Sequence, residues 1–310
     1  MTTHHIALTI DTDPDGLNAH TPDRRNLVWD GLHFAMQHFH STSDYPLTWY
    51  VRADGQLEHA YQSLTYLFDT YVDFWRSALG RGDELGWHPH LYTAPATPND
   101  APQIITDPVQ AVAELTRIHQ GMANVPFPLS SFRMGEAWHT SATLNLIESL
   151  GFTIDSTAIP ERDDSQQGHP RNWRGAPNHP YYPDRQQPRL IGDPRLLLEV
   201  PMNSWYFQTS YDNAPKLRYM NPCIHPHLWQ QALDRWQAQL LPAEQYAWVL
   251  ILHPGEAMPR AESDLLYAHS LKSMQHNLYM FEKTIHALGH DVVWSTLSQV
   301  RDRWLAYINN

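Results

Sequence analysis

His5-Ile6-Ala7-Leu8-Thr9-Ile10-Asp11-Thr12-Asp13 is a short apolar run that ends abruptly in two acids. Five of its first six residues are apolar or β-branched. The run is too short for a helix of ordinary length and has the character of a strand buried on both faces. Similar runs recur along the chain, at Leu47–Arg52, Glu84–His88, Ser131–Met134, Phe152–Asp155, Leu196–Pro201, Trp248–His253 and Asp291–Trp294. Helical patterns lie between them. Ala60, Leu64, Leu67, Tyr71 and Trp75 recur at helical spacing before Gly80 and Gly82. Asp107-Pro108 reads as an N-cap with a first-turn proline, opening a helix through Leu115 and Ile118. Thr140 or Ser141 caps a helix through Leu144, Ile147 and Leu150 that Gly151 stops, and Leu265 to Leu288 reads as a long helix ended by Gly289. Strands alternating with helices over the whole chain predict an α/β protein. Seven or eight strands with no evident linker favour one barrel-like domain over residues 1–310, with an open doubly wound sheet as the alternative. Pro160 to Arg195 breaks the pattern. It is rich in Pro, Arg, Asn and Gln and has little periodicity, so it reads as a loop excursion over one end of the barrel.

With 310 residues and 42% hydrophobic residues the chain can bury a sizeable core. A net charge of −12 argues against a nucleic-acid partner, which calls for a basic patch. The single cysteine, Cys223, excludes an internal disulfide and a cysteine-based zinc site, and reads as a packed thiol. Met1-Thr2-Thr3-His4-His5 leads directly into the first strand without the basic and apolar regions of a signal peptide. No apolar run approaches the ~18 residues of a membrane span. The cytoplasm is the expected location.

In a parallel barrel, sites assemble at the C-terminal ends of the strands. Here those ends carry Asp11 and Asp13, His88 and His90, Arg133, Asp155 and His253. Carboxylates, imidazoles and an arginine on one rim suit a metal site with acid–base partners. Each signal alone is weak. Turns after strands are rich in Asp, and 20 His in 310 positions make roughly one His-x-His pair by chance. The chain lacks the His-Glu-x-x-His pattern of zinc proteases. The 12 Trp and 15 Tyr are enough to line a sugar-binding groove as well as a core.

Order and spacing together carry more. The set resembles the NodB-homology polysaccharide deacetylases, the family 4 carbohydrate esterases. Thr9-Ile10-Asp11-Thr12-Asp13 is similar to their first motif, Glu84-Leu85-Gly86-Trp87-His88 to the second and Ser131-Phe132-Arg133-Met134-Gly135-Glu136-Ala137-Trp138 to the third. Leu250-Ile251-Leu252-His253-Pro254 is similar to the fifth. The resemblance implies a distorted (β/α)7–8 barrel, a divalent metal, Zn²⁺ by default with Fe, Co, Ni or Mn as alternatives, and ligands Asp13, His88 and His90. It further implies Asp11 as general base, Arg133 as the group that holds it, and His253 as general acid. The reaction implied is removal of an N-acyl group, N-acetyl by default, from a sugar-like substrate.

Two departures stand out. The family's second motif places two histidines four residues apart. Here that slot is Tyr92, and His90 is the substitute. The family's fourth motif has no clean match, which leaves Asp155 as the candidate for orienting Arg133. Trp205 is either a wall near the acid or a core residue. Two other readings stay open: a catalytically inactive, carbohydrate-binding relative, and a two-carboxylate glycosidase relying on Glu84, Glu136 or Glu199. Without a signal peptide, a small molecule or a nucleotide- or lipid-linked sugar fits better than an extracellular glycan. The arginines of the excursion suggest an anionic handle on that substrate.

Overall fold

A computed structural model describes residues 2–15, 27–42, 44–93, 103–239, 243–261 and 264–308. All eight expected strands form: β1 (Thr3–Asp11), β2 (Leu47–Val51), β3 (Glu84–Trp87), β4 (Ser131–Phe132), β5 (Ile154–Asp155), β6 (Leu198–Glu199), then, after a hairpin of β7 (Ser204–Phe207) and β8 (Lys216–Tyr219), β9 (Gln245–Leu252) and β10 (Asp291–Trp294). The hairpin is antiparallel and separate, and sequence periodicity did not reveal it. The other eight strands pair in parallel, in the order β9-β1-β2-β3-β4-β5-β6. β10 lies against Thr3–Ile6 of β1 and β2 against Leu8–Asp11. Because β9 runs along the opposite edge from Thr3 to Ile10, β10 and β2 share one edge of β1 in succession.

The sheet curls but does not close through strand pairing. Asn203 crosses the seam between β6 and β9: its Oδ1 accepts from the Val249 amide at 2.6 Å, and its carbonyl accepts from Met220 at 2.7 Å. The result is a distorted (β/α) barrel. Side chains alternate across the strands. Ile6, Leu8 and Ile10 join the core between sheet and helices, whereas Ala7 joins an inner cluster with Tyr50, Ile154, Leu198, Val249 and Ile251. Leu297, Val300 and Trp304 of the helix Leu297–Ile308 plug that inner cluster. This helix sits at the strand-start end, where Thr48 Oγ1 accepts from Leu297 N and Glu84 Oε2 from Ser298 N.

The helix caps follow their residue chemistry. Asp107 accepts from Gln110 N with Pro108 in the first turn, and Thr140 forms a reciprocal capping box with Thr143. Two helical runs differ from the periodicity. The stretch around Ala60–Trp75 is broken into Gly55–Tyr61, Tyr66–Thr70 and Val72–Arg81, the first ending at Gln62 with φ 56°. The long helix spans Leu271–Ala287 and not Leu265–Leu288, because Asp264 turns the chain at Leu266 and Tyr267 and Ser270 supplies the N-cap. Cys223 is buried and free. Among the described residues no helix is long and apolar enough to cross a membrane.

Candidate functional site

Strand alternation decides which side chains meet. On β1 the inner residues are Ala7, Thr9 and Asp11; on β9 they are Val249 and Ile251, which carries the pattern on to His253. Gly86 and His88 share a face at β3, as do Ser131 and Arg133 at β4. Gly86 leaves room for neighbours that a methyl group would strike, Ser131 Oγ at 2.6 Å and the Tyr50 ring at 2.7 Å. A cavity of about 200 Å³ at the strand ends is lined by Asp11, Asp13, His88, His90, Arg133 and His253, together with Glu136, Arg171, Met202 and Tyr219. Of the seven residues singled out from the sequence, the structure brings together six.

Arg133 is the anchor of one side. It is 1% exposed, its Nη1 donates to Asp11 Oδ1 at 2.5 Å and to Thr9 Oγ1 at 2.9 Å, and its Nε donates to the Ser156 carbonyl at 2.8 Å. The guanidinium lies 4.1 Å over the Tyr50 ring. These contacts fix the position of the Asp11 carboxylate. The Arg133 carbonyl faces His88 Nδ1 at 2.8 Å. That contact makes Nδ1 the donor and leaves His88 Nε2 a lone pair. His90 Nε2 lies 3.2 Å from His88 Nε2 and 3.2 Å from Asp13 Oδ1. Ligand-type atoms of Asp13, His88 and His90 all fall within 4.8 Å of one another. Two imidazole nitrogens and a carboxylate oxygen thus converge on one point, as the ligands of a divalent ion do. This nitrogen–oxygen set fits zinc or a neighbouring divalent transition ion. Burial opposes the charge of Asp13, but His90, His88 and Arg52 overcome it and hold the carboxyl well below its usual range.

His253 stands opposite Arg133. Its Nε2 is 3.5 Å from Asp13 Oδ2, and its Nδ1 is 3.0 Å from Glu256 Oε1. Burial works against protonation there, yet Glu256, Asp13 and Asp11 outweigh it, and the imidazole pKa is raised to about 10. Glu256 also accepts from the His253 amide at 2.7 Å, closing a capping box on the short helix Pro254–Ala257. His253-Pro254-Gly255-Glu256 carries that spacing in the sequence, so Glu256 was detectable by the capping pattern.

Several assignments need correction. Asp155 does not orient Arg133. Strand alternation puts Ser156 inside and Asp155 on the other face, where it meets His139 Nε2 at 3.1 Å and Thr157 Oγ1 at 2.5 Å. Ser156 and Thr9 hold Arg133 in its place. Asp155 pairs with Glu199 in full burial. Burial and the Asp155 charge push the Glu199 carboxyl well up, while His139, Glu199 and Thr157 hold Asp155 low against its own burial. Trp205 turns toward Trp248, with ring centroids 5.9 Å apart, and Tyr219 stands beside His253. Of the three glutamates a glycosidase would need, Glu84 bonds Ser131 and Ser298 at the strand-start end and Glu199 is sealed in. Only Glu136 lines the cavity.

The residues around the metal-type triad were not evident from sequence. Arg52 reaches Asp13 at 3.3 Å and Asp54 at 2.6 Å, and Asp54 also accepts the His90 amide at 3.2 Å. Tyr92 donates to Glu136 at 2.5 Å and is 3.4 Å from His90 Nδ1, so the residue in the missing histidine's slot buttresses its substitute. The excursion reaches this rim. Arg171 Nη1 donates to the Glu136 carbonyl at 3.1 Å, and Trp173 Nε1 to the Ala137 carbonyl at 2.8 Å. Most of its arginines are paired: Arg162 and Arg171 with Asp164, Arg174 with Asp163, and Arg185 and Arg195 with Glu148.

No protein-family model and no curated protein matches the sequence. Solved structures do match. One, from Mycobacterium smegmatis, carries the name polysaccharide deacetylase; it is 17% identical, with 99% of this chain covering 91% of that one at a TM-score of 0.51. Another is a 4-alpha-glucanotransferase from Thermococcus litoralis, 10% identical, with 97% of this chain covering 40% of that one at a TM-score of 0.50. The fold is that of the NodB-homology deacetylases. A glucanotransferase shares its outline, so the fold does not choose the chemistry and the site must.

Proposed function

We propose that this chain is a metal-dependent amide hydrolase that removes an N-acyl group, N-acetyl in the first instance, from a sugar-like substrate. The observation that carries the reading is the convergence of Asp13, His88 and His90 between an arginine-held carboxylate, Asp11, and a glutamate-backed imidazole, His253. Asp13, His88 and His90 would hold the ion. When bound, a divalent metal lowers the pKa of a coordinated water and polarises an amide carbonyl.

The chain's own residues supply the rest. Asp11, held in place by Arg133, accepts the proton of the attacking water. Arg133 cannot give up its own proton at neutral pH, so it holds Asp11 as a base without competing for that role. His253 donates a proton to the departing amine nitrogen, without which the C–N bond does not break at neutral pH. Glu256 behind it favours the imidazolium that makes this donation available. The wall of Met202, Ile251 and Tyr219 presents apolar and aromatic surface to a sugar ring.

Purification without chelators, followed by metal analysis and an acetate-release assay on N-acetylated sugars, tests the reading. The expected result is one divalent ion per chain and acetate release abolished by chelation. A chain that binds metal but releases no acyl group from any sugar, or that comes out empty and inactive, would make it a sugar-binding relative without the chemistry.

A further inference from the structure

Beside the catalytic cavity lies a second one of about 250 Å³, lined by Arg162, Lys216, Arg218, Tyr219, Asn221 and Tyr267 with Phe207, Leu217, Ile224 and Leu266. Tyr219 lines both cavities, and its ring centroid is 6.3 Å from that of His253. The two spaces are therefore neighbours across one aromatic side chain. The cations of the second come from two stretches: the start of the excursion, through Arg162, and the β7–β8 hairpin, through Lys216 and Arg218.

Its charge is unusual for this molecule. Arg162 and Arg171 share one carboxylate, Asp164, at 3.1 and 2.5 Å. Lys216 and Arg218 share another, Asp212, at 3.2 and 2.8 Å. Three cations line the cavity, Arg162, Lys216 and Arg218, against the two carboxylates Asp164 and Asp212, in a chain whose net charge is −12. Among the described residues no carboxylate lines the cavity. Glu256, the nearest acid behind it, is engaged by Asn221 and His253, and Asp264 by the amides of Leu266 and Tyr267. Arg162 meets Asp164 through Nε, and its two η nitrogens have no protein partner among the described residues.

From this geometry we infer that the second cavity is a subsite for a phosphoryl group carried by the acylamino substrate. A phosphoryl group suits a lining with an excess of cations, and an arginine fork with two open nitrogens pairs with it well. Tyr219 and Tyr267 offer flat apolar faces to the sugar that joins the phosphoryl group to the amide. The inference rests on the deacetylase reading for the identity of the substrate's other end. It also moves the anionic handle from the body of the excursion, whose arginines are paired, to the junction between excursion and hairpin.

Calorimetric titration of the metal-loaded chain with N-acetylglucosamine, its 1-phosphate and its 6-phosphate tests this. One of the two phosphates is expected to bind at least about tenfold more tightly than the parent sugar at low salt, with the advantage shrinking as salt rises. Arg218 is a poor first target, because it holds the buried Asp212 through both carboxylate oxygens. The exposed Lys216→Gln and the Arg162→Gln variants are the better ones, with melting curves to confirm folding, and in each the phosphate preference should fall toward parity. Equal affinity for all three sugars, or a preference untouched in both variants, overturns the subsite. Acetate release measured in parallel separates the two readings. A phosphate preference with no acetate released keeps the subsite and sinks the hydrolase; acetate release without a phosphate preference does the reverse.

Discussion

β1 carries histidine chemistry at both of its ends, and the two ends are opposites. At its start, His4 is fully buried. Its Nδ1 accepts from Trp248 Nε1 at 2.9 Å, which leaves Nε2 to donate to His290 Nδ1 at 3.0 Å, while its ring stacks on Tyr246 at 4.4 Å. Aromatic rings and other imidazoles surround it, and each ring nitrogen has a hydrogen-bond partner. Burial, with His290 and His5 adding to it, lowers its pKa to about 3. At the other end, His88, His90 and His253 face Asp11, Asp13 and Glu256. There the imidazole nitrogens converge on carboxylates. The same side chain thus becomes a neutral structural plug where aromatic rings and imidazoles bury it, and ligand-like or acid-like where its partners are carboxylates.

The largest expected difference between the two ends is in turnover. Asp11→Asn and His253→Ala should each reduce acyl release by about 10²–10⁴, the usual range for a positioned base or acid. His253→Ala should keep its metal, since His253 is not among the proposed ligands. His4→Asn, at the far end of the same strand, should leave turnover within a small factor of the parent. Rate measurements with metal analysis on the three variants check this. Near-normal turnover in either rim variant would remove the contrast.

Much of this layout was readable before any coordinates. The alternating apolar runs locate all eight barrel strands, and six of the seven residues singled out at their polar endings line one cavity. What failed did so for physical reasons. Asp155 ends its strand as Asp11 does, but it lies one residue out of phase with the inward face, and strands of two residues give too little pattern to read phase. The β7–β8 hairpin has a mixed exposed pattern that does not announce a strand pair. Arg52 and Asp54 look like an ordinary strand-end turn in sequence. Only the fold shows that together they hold Asp13 and the His90 backbone.

A smaller effect concerns stability against acid. The unfolded chain protonates His4 near 6.5 and the folded chain near 3, so between these values the unfolded state binds the extra proton. The contribution of neutral His4 is complete above about pH 6.5 and is lost as pH falls toward 3. Allowing for solvent screening, the loss is on the order of 2–3 kcal/mol. His4→Asn keeps an acceptor for Trp248 and removes the titration. Urea unfolding between pH 7.5 and 4 should therefore show the parent losing its advantage over the variant as pH falls. A constant difference across that range would show that the His4 end is not the acid-sensitive one.

The smallest expected effect bears on His90, which stands two residues after His88 and not four. Gly135 is what lets its ring sit there. A Cβ built on Gly135 would lie 2.4 Å from His90 Cδ2 and Cγ and 2.7 Å from Nδ1. The φ of Gly135 is not in the left-handed region, so alanine strains no backbone and acts only on the ring. Gly135→Ala should push His90 off the point it shares with His88 and Asp13 and weaken metal affinity about tenfold, the low end for a lost supporting contact around a ligand. Gly80→Ala, with nothing within 4 Å of the added methyl, is the control and should change nothing at the rim. Competition with a chromogenic chelator measures both. If Gly135→Ala binds metal as tightly as the parent, His90 is not a ligand, and the rim is left with His88 and Asp13 as its metal-facing pair.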